Sequence, residues 1–385
     1  MHFIKIHKVV CLVISLFYRM GIWHRGDQPT VKEIRIKFFY SGFHALFALA
    51  LLFGAITNDR RDKSIFLADV AIGVAVLSVK LWMLMWNQKN ILHLLNRVCV
   101  FSIQDDNDYK FFDDKLKGFV QFAFTFIVIV TFDGSLSTLV LSLLGSEKTL
   151  YMEIAFPLDY KHNEIAFWIA TTFIFTEFLL TIFAFIFTTI IWYFLLICSL
   201  RYKLLGNDLK NMGRISENNN KKIREEEVDN NFLKSLITLI GAHLHLKELI
   251  TEVEYFFSGL FFMQFATSGV SICLSIYCLA FDIGESLLER IMFLLVFIYL
   301  IADLFMITYF GNEIMLSSDC LSYCLFESDW YNQPQSTKKN IIIFGEYLKQ
   351  PQVFVIGKLY PLTLETFTRI LNSAYSMFNI LKSFQ

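Results

Sequence analysis

The sequence has 385 residues, of which 55% are hydrophobic and 18% charged, with a formal net charge of −1 and a mean hydropathy of +0.51. Soluble domains carry about 25% charged residues and less apolar content, so this composition excludes an ordinary soluble domain. The balanced charge gives no global reason to expect nucleic acid or an acidic partner.

In chain order, residues 1–20 come first, where Lys5 and Lys8 precede the apolar run Val9 to Ile14. That pattern suggests a secretory signal peptide, but Phe17, Tyr18, Arg19 and Met20 follow in place of a small-residue cleavage site. An amphipathic helix at the inner membrane interface is the preferred reading, with a cleaved signal as the alternative. Six stretches then meet the length of about 20 residues that a helix needs to cross a bilayer: 34–57, 64–86, 119–144, 165–200, 255–281 and 287–311. A seventh, 359–381, is interrupted by Glu365, Thr366, Arg369, Asn372 and Asn379. If it spans, it must face protein or water. Between these runs, 211–231 holds Asn218 to Asn220 and Glu225 to Glu227, a low-complexity loop expected to be disordered. Residues 232–254 carry Leu233, Leu236, Ile237, Ile240, Leu244 and Leu249 at helical spacing and should continue the fifth span. Residues 336–349 read as another helix, with Ile341, Phe344 and Leu348 on one face.

Lys and Arg set the orientation. Lys5, Lys8, Arg19, Arg25, Lys32, Lys89, Arg97, Arg201, Lys203, Lys210, Arg214, Lys338 and Lys339 fall on one side, against Arg60, Arg61, Lys63, Lys148 and Lys161 on the other. The richer side should be cytoplasmic. The expected fold is therefore an all-α integral membrane protein with seven transmembrane helices, a cytoplasmic N-terminus, an extracellular C-terminus and cytoplasmic anchor helices. Its parts are an interfacial segment 1–33, helices one to six over 34–316, a cytoplasmic loop and helical extension 201–254, an anchor helix 334–350 and a seventh helix 356–382.

Catalytic signatures are missing: no Gly-rich phosphate loop, H-E-x-x-H, G-x-S-x-G or paired C-x-x-C occurs. No enzyme activity, metal or cofactor is expected. Cys320 and Cys324, one turn apart, read as small thiols rather than a metal site. His243 and His245 point to different faces. Cys273 and Cys278 are five apart, which a helix does not bring together. Lys80, Asp133, Glu177, Asp303 and Arg369 lie inside apolar runs, where each costs several kcal/mol if left in lipid. Interhelical pairing and a water-lined or ligand-contacting role are both open for each, and Glu365 with Arg369 can pair locally.

The C-terminal third is more specific. Tyr309-Phe310-Gly311-Asn312-Glu313, Ser317 or Ser318, Trp330-Tyr331, Lys338-Lys339 and Pro351 are followed by Leu364 to Ser376, with Phe367, Thr368 and Tyr375-Ser376. This ordered set resembles the C-terminal signature of insect odorant receptors. The second cytoplasmic loop lacks the long insertion of the family's co-receptor, so the resemblance is to a ligand-tuned subunit. A related gustatory receptor is disfavoured because the T-Y-h-h-h-x-Q-F ending is absent, and a transporter because no repeat arrangement is visible.

The resemblance implies a ligand-gated, non-selective cation channel subunit opened by a small volatile, working with the odorant receptor co-receptor in a heterotetramer. The expected location is the plasma membrane of olfactory sensory neuron dendrites. It also implies a pore lined by the last helix, where Tyr375, Phe378 or Asn379, and Lys382 recur on one face and Phe378 is the expected constriction; packing of this face against span five or six is the alternative. Lys382 departs from the apolar pattern expected there. The implied pocket lies in the outer half of the bundle, with Val70, Gly73, Val74, Thr131, Gly134, Thr138, Trp168, Thr171, Thr172, Phe175 and Tyr277 as candidates. Packing between helices is the alternative role for each. A micromolar Kd is about 8 kcal/mol, or about 0.8 kcal/mol per heavy atom for a ligand of roughly ten atoms. That is below the small-ligand ceiling of about 1.5, so shape and dispersion suffice.

Overall fold

Long helices dominate the computed structural model, which describes residues 2–26, 28–58, 60–144, 150, 152, 154–160, 162–213, 225–281, 287–357 and 359–383, with side chains for these except at 61–62, 133–144, 225–229, 287–289 and 292. The order is β1 (His2–Ile4), α1 (Lys8–Arg19), α2 (Val31–Thr57), α3 (Arg61–Trp86), α4 (Gln88–Cys99), β2 (Phe101–Ile103), α5 (Asp106–Leu144) and α6 (Glu164–Lys210). Then come α7 (Glu225–Ala280), α8 (Leu287–Phe326), a 3-10 turn (Trp330–Asn332), α9 (Gln335–Leu348), β3 (Val355–Ile356), β4 (Tyr360–Pro361) and α10 (Leu364–Ser383). Six of these helices, α2, α3, α5, α6, α7 and α8, are long and apolar enough to cross a membrane. The protein is an all-α integral membrane protein whose only strands among the described residues form two small antiparallel pairs.

Local chemistry starts the helices. Thr30 and Glu33 form a reciprocal cap at the head of α2: Glu33 N donates to Thr30 Oγ1 at 3.4 Å, and Thr30 N donates to Glu33 Oε2 at 2.7 Å, satisfying two otherwise orphaned donors. Asn163 Oδ1 accepts from Ile165 N at 2.9 Å and Ala166 N at 3.4 Å at the head of α6. The six apolar spans differ in surroundings. Every residue from 183 to 200 in α6 is buried, as expected of a helix apolar all round, and α6 packs on α2, α3, α5, α7 and α8. The other spans leave apolar side chains outward, among them Phe38, Phe39, Leu46 and Phe53 on α2 and Phe124 and Phe132 on α5.

Several expectations are corrected. α6 and α8 continue past 200 and 316 to Lys210 and Phe326, so the loop placed at 201–254 begins as helix. α7 is continuous through 232–254, as the spacing predicted. α4 is a separate helix with Ile91, Leu94, Leu95 and Val98 buried. α1 follows strand β1, whose partner is β2; Phe17 of α1 is fully buried and meets Phe183 of α6 edge-on at 6.4 Å. The seventh helix begins at Leu364 rather than 356. Residues 355–361 make a hairpin because Gly357 takes φ +57° and Pro361 disfavours helix at the residue before it. The outer links 145–149 and 282–286 and most of the loop 211–231 lie outside the described residues.

Gly311 explains how that hairpin seats. A Cβ built on it would lie 2.4 Å from Leu362 Cγ and 2.5 Å from the Leu362 carbonyl oxygen, so only glycine lets the lead-in to α10 pack on α8. Gly311→Ala should cost about 1–3 kcal/mol through overpacking and lower the thermal midpoint of detergent-purified protein. Gly118→Ala, in α5 with no atom within 4 Å of the new carbon, should leave it unchanged or raise it.

Candidate functional site

Ionisable groups within the apolar spans are joined. Lys80 of α3 donates to Asp303 Oδ2 of α8 at 2.6 Å and to Thr188 Oγ1 of α6 at 3.1 Å. Gln264 Nε2 of α7 donates to the same carboxylate oxygen at 2.8 Å. Lys80 is fully buried, and Asp303 and Gln264 nearly so. Four helices thus meet at one charge pair. Without that pairing each ion would carry a desolvation penalty of several kcal/mol. About three turns away on the same face of α3, Asp69 Oδ2 accepts from Ser275 Oγ of α7 at 2.6 Å. Glu177 of α6 approaches His44 of α2, with Oε1 and Nδ1 2.7 Å apart and both side chains buried. Glu365 and Arg369 pair at 2.6 Å, fully in the open. The Asp133 side chain lies outside the described residues. Asp69, His44, Thr188, Gln264 and Ser275 were not singled out in the sequence; a search for polar residues inside every apolar run would have found them.

A small enclosed space of about 30 Å3 lies beside this cluster, between α3, α7 and α8; Gly73, Gln264, Ser268, Ser271, Tyr299 and Asp303 are among its lining residues. The structure divides the expected pocket residues around it. Gly73 lines the space, and a Cβ there would meet nothing within 4 Å. Val74 and Tyr277 are buried, Tyr277 against Phe281 with ring centroids 4.7 Å apart, and Val70 is partly buried against the core. Thr131 and Thr171 each hold a buried hydroxyl without a partner among the described residues, while Phe175 is half-buried. Trp168 and Thr172 face the other way, into an open groove of about 550 Å3 between α2 and α6, with Phe43, Ile169 and Phe173. They are not brought together with Gly73. The side chains of Gly134 and Thr138 lie outside the described residues.

α10 packs on α7 and α8. Thr366, Ala374 and Phe378 are its buried residues. The face turned away from the bundle carries Glu365, Arg369, Asn372, Ser376, Asn379 and Ser383, all exposed and spaced alternately by four and three residues. This polar stripe is not the face expected from the sequence. Asn379 lies on it, Tyr375 and Lys382 are exposed at its flank, and Phe378 turns inward, its ring 6.3 Å from that of Phe281 on α7. An aromatic side chain prefers that apolar contact to an aqueous face.

At the basic end, contacts tie the helix extensions together. Lys210 pairs with Glu327 at 2.7 Å, and Lys203 with Glu313. Arg97 of α4 pairs with Glu252 of α7, and Arg201 donates to the carbonyls of Arg97 and Val98. α9 packs Phe344 and Tyr347 around His243 of α7, with centroids 5.9 and 5.8 Å away; burial first, and Lys247 second, push the His243 ring down to about 4. Cys320 and Cys324 line an open cavity of about 460 Å3 with Lys203 and Glu313.

Because Lys80 and Asp303 are buried together, removing one partner should cost far more than removing both. Lys80→Met alone should destabilise by about 3–5 kcal/mol, with much of the loss recovered in Lys80→Met, Asp303→Leu. Thermal unfolding of the purified variants measures the recovery, and simple additivity of the two losses would contradict the pairing.

Known proteins resemble this chain in sequence and in fold. A family model described as 7tm Odorant receptor matches residues 68–375. Odorant receptor 94a of Drosophila melanogaster is 25% identical over 323 residues, 82% of this chain and 78% of that one. Odorant receptor 10 of Aedes albopictus is 24% identical over 147 residues, 38% of this chain and 39% of that one, so the chain spans about two-fifths of the length of the first such relatives it matches. Among solved structures, the insect olfactory receptor OR5 from Machilis hrabei in complex with eugenol superposes with a TM-score of 0.77 at 14% identity, covering 97% of this chain and 99% of that one. At that identity the likeness speaks for the fold. With the family model covering most of the sequence, this chain belongs to the 7tm odorant receptor family.

Proposed function

We propose that the chain is an odorant receptor subunit: a ligand-gated, non-selective cation channel opened by a small volatile and assembled with the odorant receptor co-receptor as a heterotetramer. It would work in the plasma membrane, on dendrites of olfactory sensory neurons. The observation that carries this reading is α10, whose outward face is polar and exposed where the outward faces of α2 and α5 are apolar. A polar stripe of that length is costly against acyl chains and favourable against water, as around a pore axis shared with other subunits. Asn379 and Tyr375 then face the conduction path near its outer end. Phe378, held by Phe281, would act as the hinge contact that keeps the helix closed.

The family membership and the eugenol bound to the related receptor support a volatile ligand. The space beside Gly73, about 30 Å3, is far below the roughly 300–1,000 Å3 of ligand pockets. Ligand entry would therefore widen the gap between α3, α7 and α8, the last two being the helices on which α10 rests. A ligand shifts the closed–open balance only by its preference for the wider arrangement.

Co-expression with the co-receptor in a heterologous cell should give currents to members of a volatile panel. Gly73→Val should reorder the panel, changing individual half-maximal concentrations by about tenfold or more, while surface assembly survives. Substituted cysteines provide the second measurement. A charged thiol reagent should block current through Asn372→Cys or Ser376→Cys and spare Ala374→Cys and the parent. Block at Ala374→Cys alone would place the pore on the wrong face of α10.

A further inference from the structure

The space beside Gly73 carries a hydrogen-bonding imbalance. Gln264 and Asp303 both line it, and Gln264 Oε1 and Asp303 Oδ1 have no hydrogen-bond partner among the described residues. The orientation of the Gln264 amide is settled by its neighbour. Asp303 Oδ2 accepts from Nε2, and a flipped amide would set two oxygens against each other, so Oε1 is the free end. Of the donors nearby, Lys80 is engaged with Asp303 and Thr188, Ser268 with the carbonyl of Gln264 and Thr267 with the carbonyls of Met263 and Gln264, while the Tyr299 hydroxyl lies beside Thr188 and Asp303. Acceptors are thus in surplus. The charge is balanced, because the Lys80 ammonium offsets the Asp303 carboxylate at 2.6 Å. A volume of about 30 Å3 leaves room for a small polar group such as a hydroxyl or a water.

We infer that this subunit selects volatiles bearing a neutral hydroxyl, alcohols or phenols, by taking the hydroxyl into the space beside Gly73, where it donates to Gln264 Oε1. The inference rests on the volatile-receptor reading above and gives its ligand class. An ether or hydrocarbon of equal shape leaves the buried oxygen unpaired, the situation in which polar sites discriminate most. An amine arrives as a cation at a site already neutral, and carries the cost of its own desolvation.

The test uses a linear alcohol, its methyl ether, the alkane and the amine of equal length, applied to cells expressing the chain with the co-receptor. The same compounds are tested for thermal stabilisation of the purified protein. The alcohol should act at a concentration at least about tenfold below the ether, about 1.4 kcal/mol. Gln264→Leu should erase that preference, so that alcohol and ether act at similar concentrations. Gly73→Ala, whose added carbon meets nothing within 4 Å, should take up part of the space and narrow the ratio between alcohol and ether. Equal potency of alcohol and ether, preference for the amine, or a preference that survives Gln264→Leu overturns the hydroxyl inference and leaves the receptor reading standing. Absence of both current and stabilisation with every compound and every panel volatile overturns both. Stabilisation by the alcohol without current keeps the hydroxyl site and overturns the channel reading.

Discussion

A charge pair buried among four apolar helices restricts how those helices can sit. Lys80 must reach Asp303, and both must keep Thr188 and Gln264 in range, or a lone ion is left in a medium that cannot solvate it. The net contribution of such a pair to stability is small, since desolvation offsets most of the Coulombic gain. Its effect is on rotation. With Lys80 turned toward α8, the same face of α3 presents Gly73 to the gap with α7 and α8, and Asp69 to Ser275. One contact therefore fixes the polar lining of the enclosed space, and that lining sets what the space can hold.

The spans divide by what surrounds them, and side-chain chemistry follows. α6 is buried along 183–200 and has no lipid face to protect. It can hold Thr188 and Glu177 inward because each has a partner on another helix. α10 is the reverse case, a half-covered helix that buries Ala374 and Phe378 and turns a polar stripe outward. Against acyl chains that stripe would be left unsolvated.

Much of the fold was legible because a bilayer crossing demands an apolar run that few other structures need. The limits of α6, α7 and α8 were less so. Beyond the bilayer they continue as amphipathic helix, and only 232–254 had spacing regular enough to show it. α4 went unseen because twelve residues with Gln88, Lys89, Asn90, Asn96 and Arg97 read as loop until neighbours cover Ile91, Leu94 and Leu95. The pocket residues were hardest. A helix apolar on every side does not reveal its rotation, so Thr171 and Thr172, adjacent in sequence, turn out buried and exposed. Phe378 meets the same limit: spacing sets it beside Tyr375 and Asn379, and only the Phe281 ring shows which flank turns inward. The pairing of Lys80 with Asp303, 223 positions apart, has no local signature.

The link from the enclosed space to α10 is short and made of contacts that resist compression. Gly269 of α7 brings that helix close to Ile370, 3.9 Å from where a Cβ would sit. Phe305 of α8, next but one to Asp303, meets Phe367 edge-on at 5.5 Å. Gly311, two turns further along α8, holds Leu362 at the root of α10. Close-packed interiors respond to volume change by shifting whole elements, because there is no void to absorb it. Any group that widens the gap at Gln264 and Asp303 pushes on the same two helices that carry these three contacts. α10 rests on α7 and α8, so it follows them. The lever is the packing itself, with Asp303 at one end of a two-residue step and α10 at the other.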